Sequence, residues 1–302
     1  MPLDFTKKNS ENNKSNHVEY IIQSPKYQLE NIVLSNEQEC GIRQVLAYME
    51  NKELLLKTWG LEKFYPESRG VFINLYGASG TGKTMAAHAI AEKLNKDVIL
   101  VNYAEIESKY VGETSKNLYQ IFAFAKEHDV VLVFDEADAL LSKRVTNMTS
   151  STDVSVNQTK SVLLNIMNDY DGIVIFTTNF ISNYDFAFIR RIPFQIEFKL
   201  PDEQQRKKIW EYYLSAQMPY NLNLKEITEK YTSISGSDIS NCVLSAALYA
   251  AMDHADIVSE KYFYKAMDNI VKAKQANKEF APKIVSQREV SEDYALKQIN
   301  GG

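Results

Sequence analysis

Val71-Phe72-Ile73-Asn74-Leu75-Tyr76 runs directly into Gly77-Ala78-Ser79-Gly80-Thr81-Gly82-Lys83-Thr84 and then into an apolar-periodic stretch with Met85, Ala86, Ala89, Ile90 and Leu94. A β-rich run, a glycine-rich turn with the spacing G-x-x-x-x-G-K-[ST] and a helical pattern therefore follow one another without a break. That order aims backbone N–H groups and a helix N-terminus at one point, which makes a cradle for phosphate groups. Lys83 is suited to neutralise β and γ phosphates, and Thr84 to offer its hydroxyl to Mg²⁺. The expected contact set for ATP runs from Gly77 through Ala78, Ser79, Gly80, Thr81, Gly82, Lys83 and Thr84 to Met85.

Further along, Val130-Val131-Leu132-Val133-Phe134 delivers Asp135 and Glu136 at its end. Ligands of parallel sheets bind beyond the carboxyl ends of the strands. Asp135 is thus placed to join Thr84 at the metal, and Glu136 to polarise an attacking water. The next apolar run, Ile173-Val174-Ile175-Phe176-Thr177-Thr178, ends at Asn179, an amide suited to orienting that water. Arg190 and Arg191 follow a short apolar segment and are candidates to stabilise phosphoryl charge, supplied by a neighbouring subunit.

Five β-rich runs (71–76, 98–102, 130–134, 173–177 and 194–198) alternate with helical patterns. Nearly continuous apolar strands separated by helices indicate an α/β fold with a doubly wound, mostly parallel sheet, and the phosphate-loop motif at Gly77–Thr84 makes the expected fold that of a P-loop NTPase. Before it, Asn36 to Trp59 reads as one helix ending near Gly60. After Pro201 only helical patterns remain (202–216, 224–231, 237–252 and 258–275), the expected small all-helical C-terminal lid domain. The organisation expected is a flexible N-terminal arm at 1–26, the α/β nucleotide-binding domain at 27–200, the lid at 201–275 and a tail at 276–302.

Lys plus Arg number 34 against 39 Asp plus Glu, a balance of −5 that gives no global footprint for nucleic acid. The cysteines, Cys40 and Cys242, sit in helical apolar patterns and read as buried thiols of a reducing, cytoplasmic setting. The polar first residues give no reason to expect a membrane span. None of the four histidines stands in an H-E-x-x-H pair, so no zinc protease is expected in this stretch.

Together these motifs resemble the AAA+ ATPases, and in particular the clade of katanin and spastin, over about Tyr27 to Gln275. Ser108-Lys109-Tyr110-Val111-Gly112-Glu113 is similar to the aromatic pore loop, in which Lys109, Tyr110 and Val111 would face a central channel and grip a polypeptide. Ser142 to Ser155 resembles a second pore loop, or is a connector. Ser235-Gly236-Ser237-Asp238 is similar to the lid motif that brings Gly236 and Ser237 to the nucleotide. Ile32 and Val33 occupy the place of an adenine-contacting segment, without its glycines. The chain departs from the pattern after Arg190-Arg191, where Ile192-Pro193-Phe194-Gln195 lacks a third basic residue, and at Ala78-Ser79, which replaces two prolines.

The resemblance implies Mg-ATP hydrolysis at the subunit interfaces of a ring homo-oligomer, six subunits being usual, with a protein substrate drawn through the pore and an adaptor as a further partner. A nucleotide-switched assembly module that changes partners without threading is the alternative. A nucleic-acid motor is disfavoured by the acidic balance.

Overall fold

The computed structural model describes residues 20–64, 70–102, 113–143, 151–179 and 184–279. The expected pore-loop residues Lys109, Tyr110 and Val111, most of the N-terminal arm and the end of the tail lie outside the described residues.

Six strands form one sheet in the order β1-β3-β4-β5-β2-β6: β1 Ile22–Gln23, β2 Val71–Gly77, β3 Val98–Asn102, β4 Val131–Asp135, β5 Ile173–Thr178 and β6 Phe194–Phe198. All neighbours are parallel except β1, which pairs antiparallel with β3 through Ile22↔Ile99 and Gln23↔Val98. Alternate residues of one strand feed opposite faces, as the pleat requires. Leu132 and Phe134 join a core with Phe72, Phe122 and Met167, whereas Val131 and Val133 join one with Ile73, Leu75 and Ile90. Helices α1 (Asn36–Glu50) and α2 (Lys83–Lys93) cover the second face, and α3 (Glu113–Glu127) and α5 (Ser151–Asp169) cover the first, with the short α4 (Asp138–Leu141) preceding α5. Both faces are sealed, so the strands can be apolar throughout.

The chain leaves β6 through Lys199–Pro201, and a capping box between Asp202 and Gln205 starts α7 (Glu203–Tyr213). Such a cap satisfies backbone donors that would otherwise be orphaned. α8 (Leu224–Lys230), α9 (Gly236–Met252) and α10 (Glu260–Glu279) pack with α7 around Trp210, Cys242, Phe263 and Met267. No helix among the described residues is long and apolar enough to cross a membrane.

Five expectations need correction. Residues 20–23 are not a free arm: Ile22–Gln23 extend the sheet, and Tyr20 packs on Phe124 and donates to the Asn117 carbonyl at 3.3 Å. The helix from Asn36 stops at Glu50, with a separate π-type turn at Leu54–Thr58 and left-handed Gly60 (φ +71°), because Asn51 takes a non-helical conformation. The helical lid contains a two-residue parallel ladder, β7 (Tyr220–Asn221) with β8 (Val258–Ser259). Cys40 lies on the outer side of α1 and is exposed, because Gln38, Ile42 and Val45 are the residues that face inward; Cys242 is buried. Of the polar segment 142–155, residues 151–155 form the first turn of α5.

Candidate nucleotide site

Because β5 lies between β2 and β4, the ends of three adjacent strands converge on one edge of the sheet. The turn after β2 can form only with glycine at its tightest points. A Cβ on Gly77 (φ +134°) would stand 2.2 Å from the Phe198 carbonyl oxygen, and one on Gly80 (φ +73°) 1.9 Å from Ser237 Oγ. Glycine alone adopts such conformations without strain. Gly82 (φ +94°) then caps α2, whose first residues are Lys83 and Thr84.

The side chains order themselves around that turn. Lys83 Nζ donates to the carbonyls of Gly77 (2.9 Å) and Ala78 (2.8 Å) and to Asn179 Oδ1 (3.0 Å). Lys83 is buried, and burial pushes its pKa down against the opposing pull of Asp138, Asp135 and Glu136. Thr84 Oγ1 donates to Asp135 Oδ1 at 3.0 Å, and the Thr177 hydroxyl donates to the same oxygen. Asn179 N donates to Asp138 Oδ1 at 2.9 Å. Glu136 sits in the left-handed region (φ +53°), held by bonds from its own N–H to Thr177 Oγ1 (3.1 Å) and from Ala137 N–H to the Thr177 carbonyl (2.9 Å). That kink turns an exposed carboxylate toward the loop instead of along the strand. A left-handed non-glycine residue fixed from both sides is a form of strain found at functional sites.

A cavity of about 300 Å³ lies over these groups. Its floor is the turn from Ser79 to Met85 together with Asp135, Glu136 and Asn179. Ile32 and Val33 line one wall, and Gly236 and Ser237 close the other, where Ser237 N–H donates to the Gly80 carbonyl at 3.1 Å. Gly77 and Ala78 stand behind the cavity, where their carbonyls hold Lys83. Arg190 and Arg191 do not line it: Arg191 bonds Asn168 Oδ1 and the Ala187 carbonyl, both at 3.0 Å, and Arg190 is exposed.

Sequence reading missed the wall contributed by α7. Ile209, Tyr212 and Tyr213 line the cavity at helical spacing, and Tyr212 is 51% exposed. An exposed aromatic one turn from an apolar residue was the available signal. Thr177, which positions both acidic residues, was passed over as part of an apolar strand.

Residues 73–200 match the family described as ATPase family associated with various cellular activities (AAA). Residues 73–200 are a domain of the AAA ATPase family. It is 32% identical over 253 residues to a putative 26S proteasome regulatory subunit homolog of Methanocaldococcus jannaschii, covering 82% of this chain and 66% of that protein. Against the 26S proteasome regulatory subunit 8 homolog of Schizosaccharomyces pombe it is 31% identical over 238 residues, 76% of this chain and 58% of the relative. Against 26S proteasome subunit RPT4 of Saccharomyces cerevisiae it is 30% identical over 209 residues, 67% and 48% of the two chains. The chain thus spans roughly half to two thirds of these relatives, which carry proteasomal names and not those of katanin or spastin.

The donor set of this AAA site fits magnesium with ATP. Thr84 and Asp135 present hard oxygen atoms side by side, and no group of three or more acidic, histidine or cysteine side chains able to cage an ion occurs among the described residues. Mg²⁺ commonly takes one or two protein oxygens and completes its shell with water and substrate phosphates.

Proposed function

We propose that this protein binds Mg-ATP between its sheet and its helical lid, hydrolyses it to ADP and phosphate, and uses the cycle to pull on a protein substrate from within a ring of like subunits. One observation carries the reading: Lys83, Thr84, Asp135, Glu136 and Asn179 come from two strand ends and one helix start, yet all border a single cavity that the lid closes.

Lys83 would exchange its bonds to the loop carbonyls for phosphate oxygens. Thr84 and Asp135 would hold the metal, which when bound neutralises charge on the phosphates. Asn179 would fix the water, and Glu136 would accept its proton as the oxygen attacks the γ-phosphorus and the bond to ADP breaks. Ile32, Val33, Ile209 and Tyr213 supply apolar walls for the base. Arg190 is exposed and does not line its own cavity, which suits donation to the site of a neighbour.

A head-to-tail contact of that kind closes into a ring or runs on as a filament, and a ring is the reading adopted, six subunits being the family's usual number. Turnover per subunit is then expected to rise with protein concentration until the ring is complete. A specific activity independent of concentration would leave a monomeric switch instead. Within the ring, Lys109, Tyr110 and Val111 are assigned to the substrate channel on the motif, with an adaptor selecting the substrate. Tyr110→Ala is expected to retain ATPase activity within about twofold and to lose unfolding of a tagged fluorescent substrate, since an aromatic ring gives sequence-independent grip. Unfolding at the wild-type rate would remove the threading assignment. A katanin-like placement rests on the pore-loop and lid motifs, while the relatives favour a proteasome-type regulatory role. The free thiols of Cys40 and Cys242 suit a cytoplasmic setting.

A further inference from the structure

The strand that leads into the phosphate loop contains one polar residue at a fully buried position, Asn74, between Ile73 and Leu75. A buried amide is costly unless its hydrogen bonds are met. Asn74 Nδ2 donates to Gln195 Oε1 at 2.8 Å and to Tyr184 Oη at 3.5 Å, and its Oδ1 accepts from Thr178 Oγ1 at 3.4 Å. The Tyr184 hydroxyl donates to Thr178 Oγ1. Four side chains from β2, β5, β6 and the segment after β5 thus form one network inside the sheet.

Each end of this network touches a different functional element. Thr178 is the neighbour of Asn179, which binds Lys83. Tyr184 and Asp185 begin the short helix α6 (Phe186–Ile189): Asp185 Oδ1 accepts from Ala187 N at 2.9 Å, and Asp185 N donates to the carbonyl of Leu141 at the end of α4. Gln195 Nε2 donates to the Ile192 carbonyl at 3.0 Å, immediately after Arg190 and Arg191. The arginine-bearing segment is therefore clamped on both sides by the network that the strand end of Asn179 belongs to. Arg190 is exposed at the C-cap of that short helix, so the clamped segment sets where it is presented.

We propose that Tyr184 is a positioning residue, which ties the water-orienting end of β5 to the segment presenting Arg190 and so couples the state of one nucleotide site to the arginine offered to the next. Tyr184 does not line the nucleotide cavity. Burial pushes its phenol up to about 12, although its bonds to Thr178 and Asn74 pull the other way, so it stays a neutral donor throughout the working range. A satisfied polar network in a low-dielectric interior holds one arrangement and resists partial ones. Coupling by such an element is demonstrated by non-additivity, because residues acting as one unit lose their function together.

This inference rests on the ATPase reading above, and the test separates the two. ATP turnover of the full chain is measured for wild type, Tyr184→Phe, Arg190→Ala and the double variant, with nucleotide affinity by calorimetry and thermal midpoints alongside. Tyr184→Phe is expected to lower kcat about fivefold or more at unchanged nucleotide affinity, and to have no further effect in the Arg190→Ala background. Unchanged kcat, or the same loss in both backgrounds, overturns the coupling. If Tyr184→Phe does not fold, Thr178→Val cuts the same link from the strand side and is judged by the same two criteria. A wild-type chain without ATP turnover would instead remove the ATPase reading itself.

Discussion

Glu136→Gln is expected to turn over ATP at least about 100-fold more slowly than the wild type while binding it as tightly, the range of loss that follows removal of a positioned general base. The amide has nearly the same shape as the carboxylate but cannot accept the proton of the attacking water. Nothing structural should follow from the change. The Glu136 side chain is exposed, and the kink that presents it is fixed by the backbone bonds to Thr177 and not by its carboxylate. Phosphate release measures the rate, and calorimetry with Mg-ATP measures the affinity. Turnover near the wild-type rate would show that another group takes the proton.

Lys83→Ala should separate the other way, losing the ligand and keeping the fold. Its ammonium is the cation that the turn from Gly77 to Thr84 holds within its own carbonyls. Hydrogen bonds from a charged donor are worth roughly 1.5–3 kcal/mol each, so nucleotide affinity should fall about 100-fold when it is removed. Burial already disfavours the charged form of Lys83 in the free protein, so alanine removes a desolvation cost together with three hydrogen bonds. The thermal midpoint in the absence of nucleotide is therefore expected to move by only a few degrees. Retained affinity, measured by calorimetry on folded material, would contradict the phosphate role of Lys83.

The parts of this site that could be read from sequence are those made by neighbours along the chain. The glycines and Lys83 specify the turn because left-handed backbone and a helix start are local demands, and Gly77, Gly80 and Gly82 all meet them. Asp135 and Asn179 were legible for a related reason, since each follows an apolar strand whose end must reach the same edge. What stayed hidden depends on chain segments far apart. Ile209, Tyr212 and Tyr213 enter the cavity only because the lid folds back over the loop. The pairing of Ile22–Gln23 with β3 was invisible because a two-residue strand in a polar context has no period to detect. The break after Glu50 was missed for the opposite reason, as Leu54, Leu55 and Leu56 prolong an apolar pattern that Asn51 interrupts. Asn74, polar in an otherwise apolar strand, was the plainest unread sign, and its partners lie 104 to 121 residues away.

The contact between Ser237 and the Gly80 carbonyl gives the molecule a seam whose two lips are the phosphate loop and the first turn of α9. Lys274, on the last helix, pairs with Asp238 in that same turn. A ligand lodged in the seam would fasten both lips at once, as a rivet joins two plates, and its loss would let them slip. Stiffness across the joint, and the angle at which the helix of Lys274 leaves it, would then be quantities set by what lies in the seam.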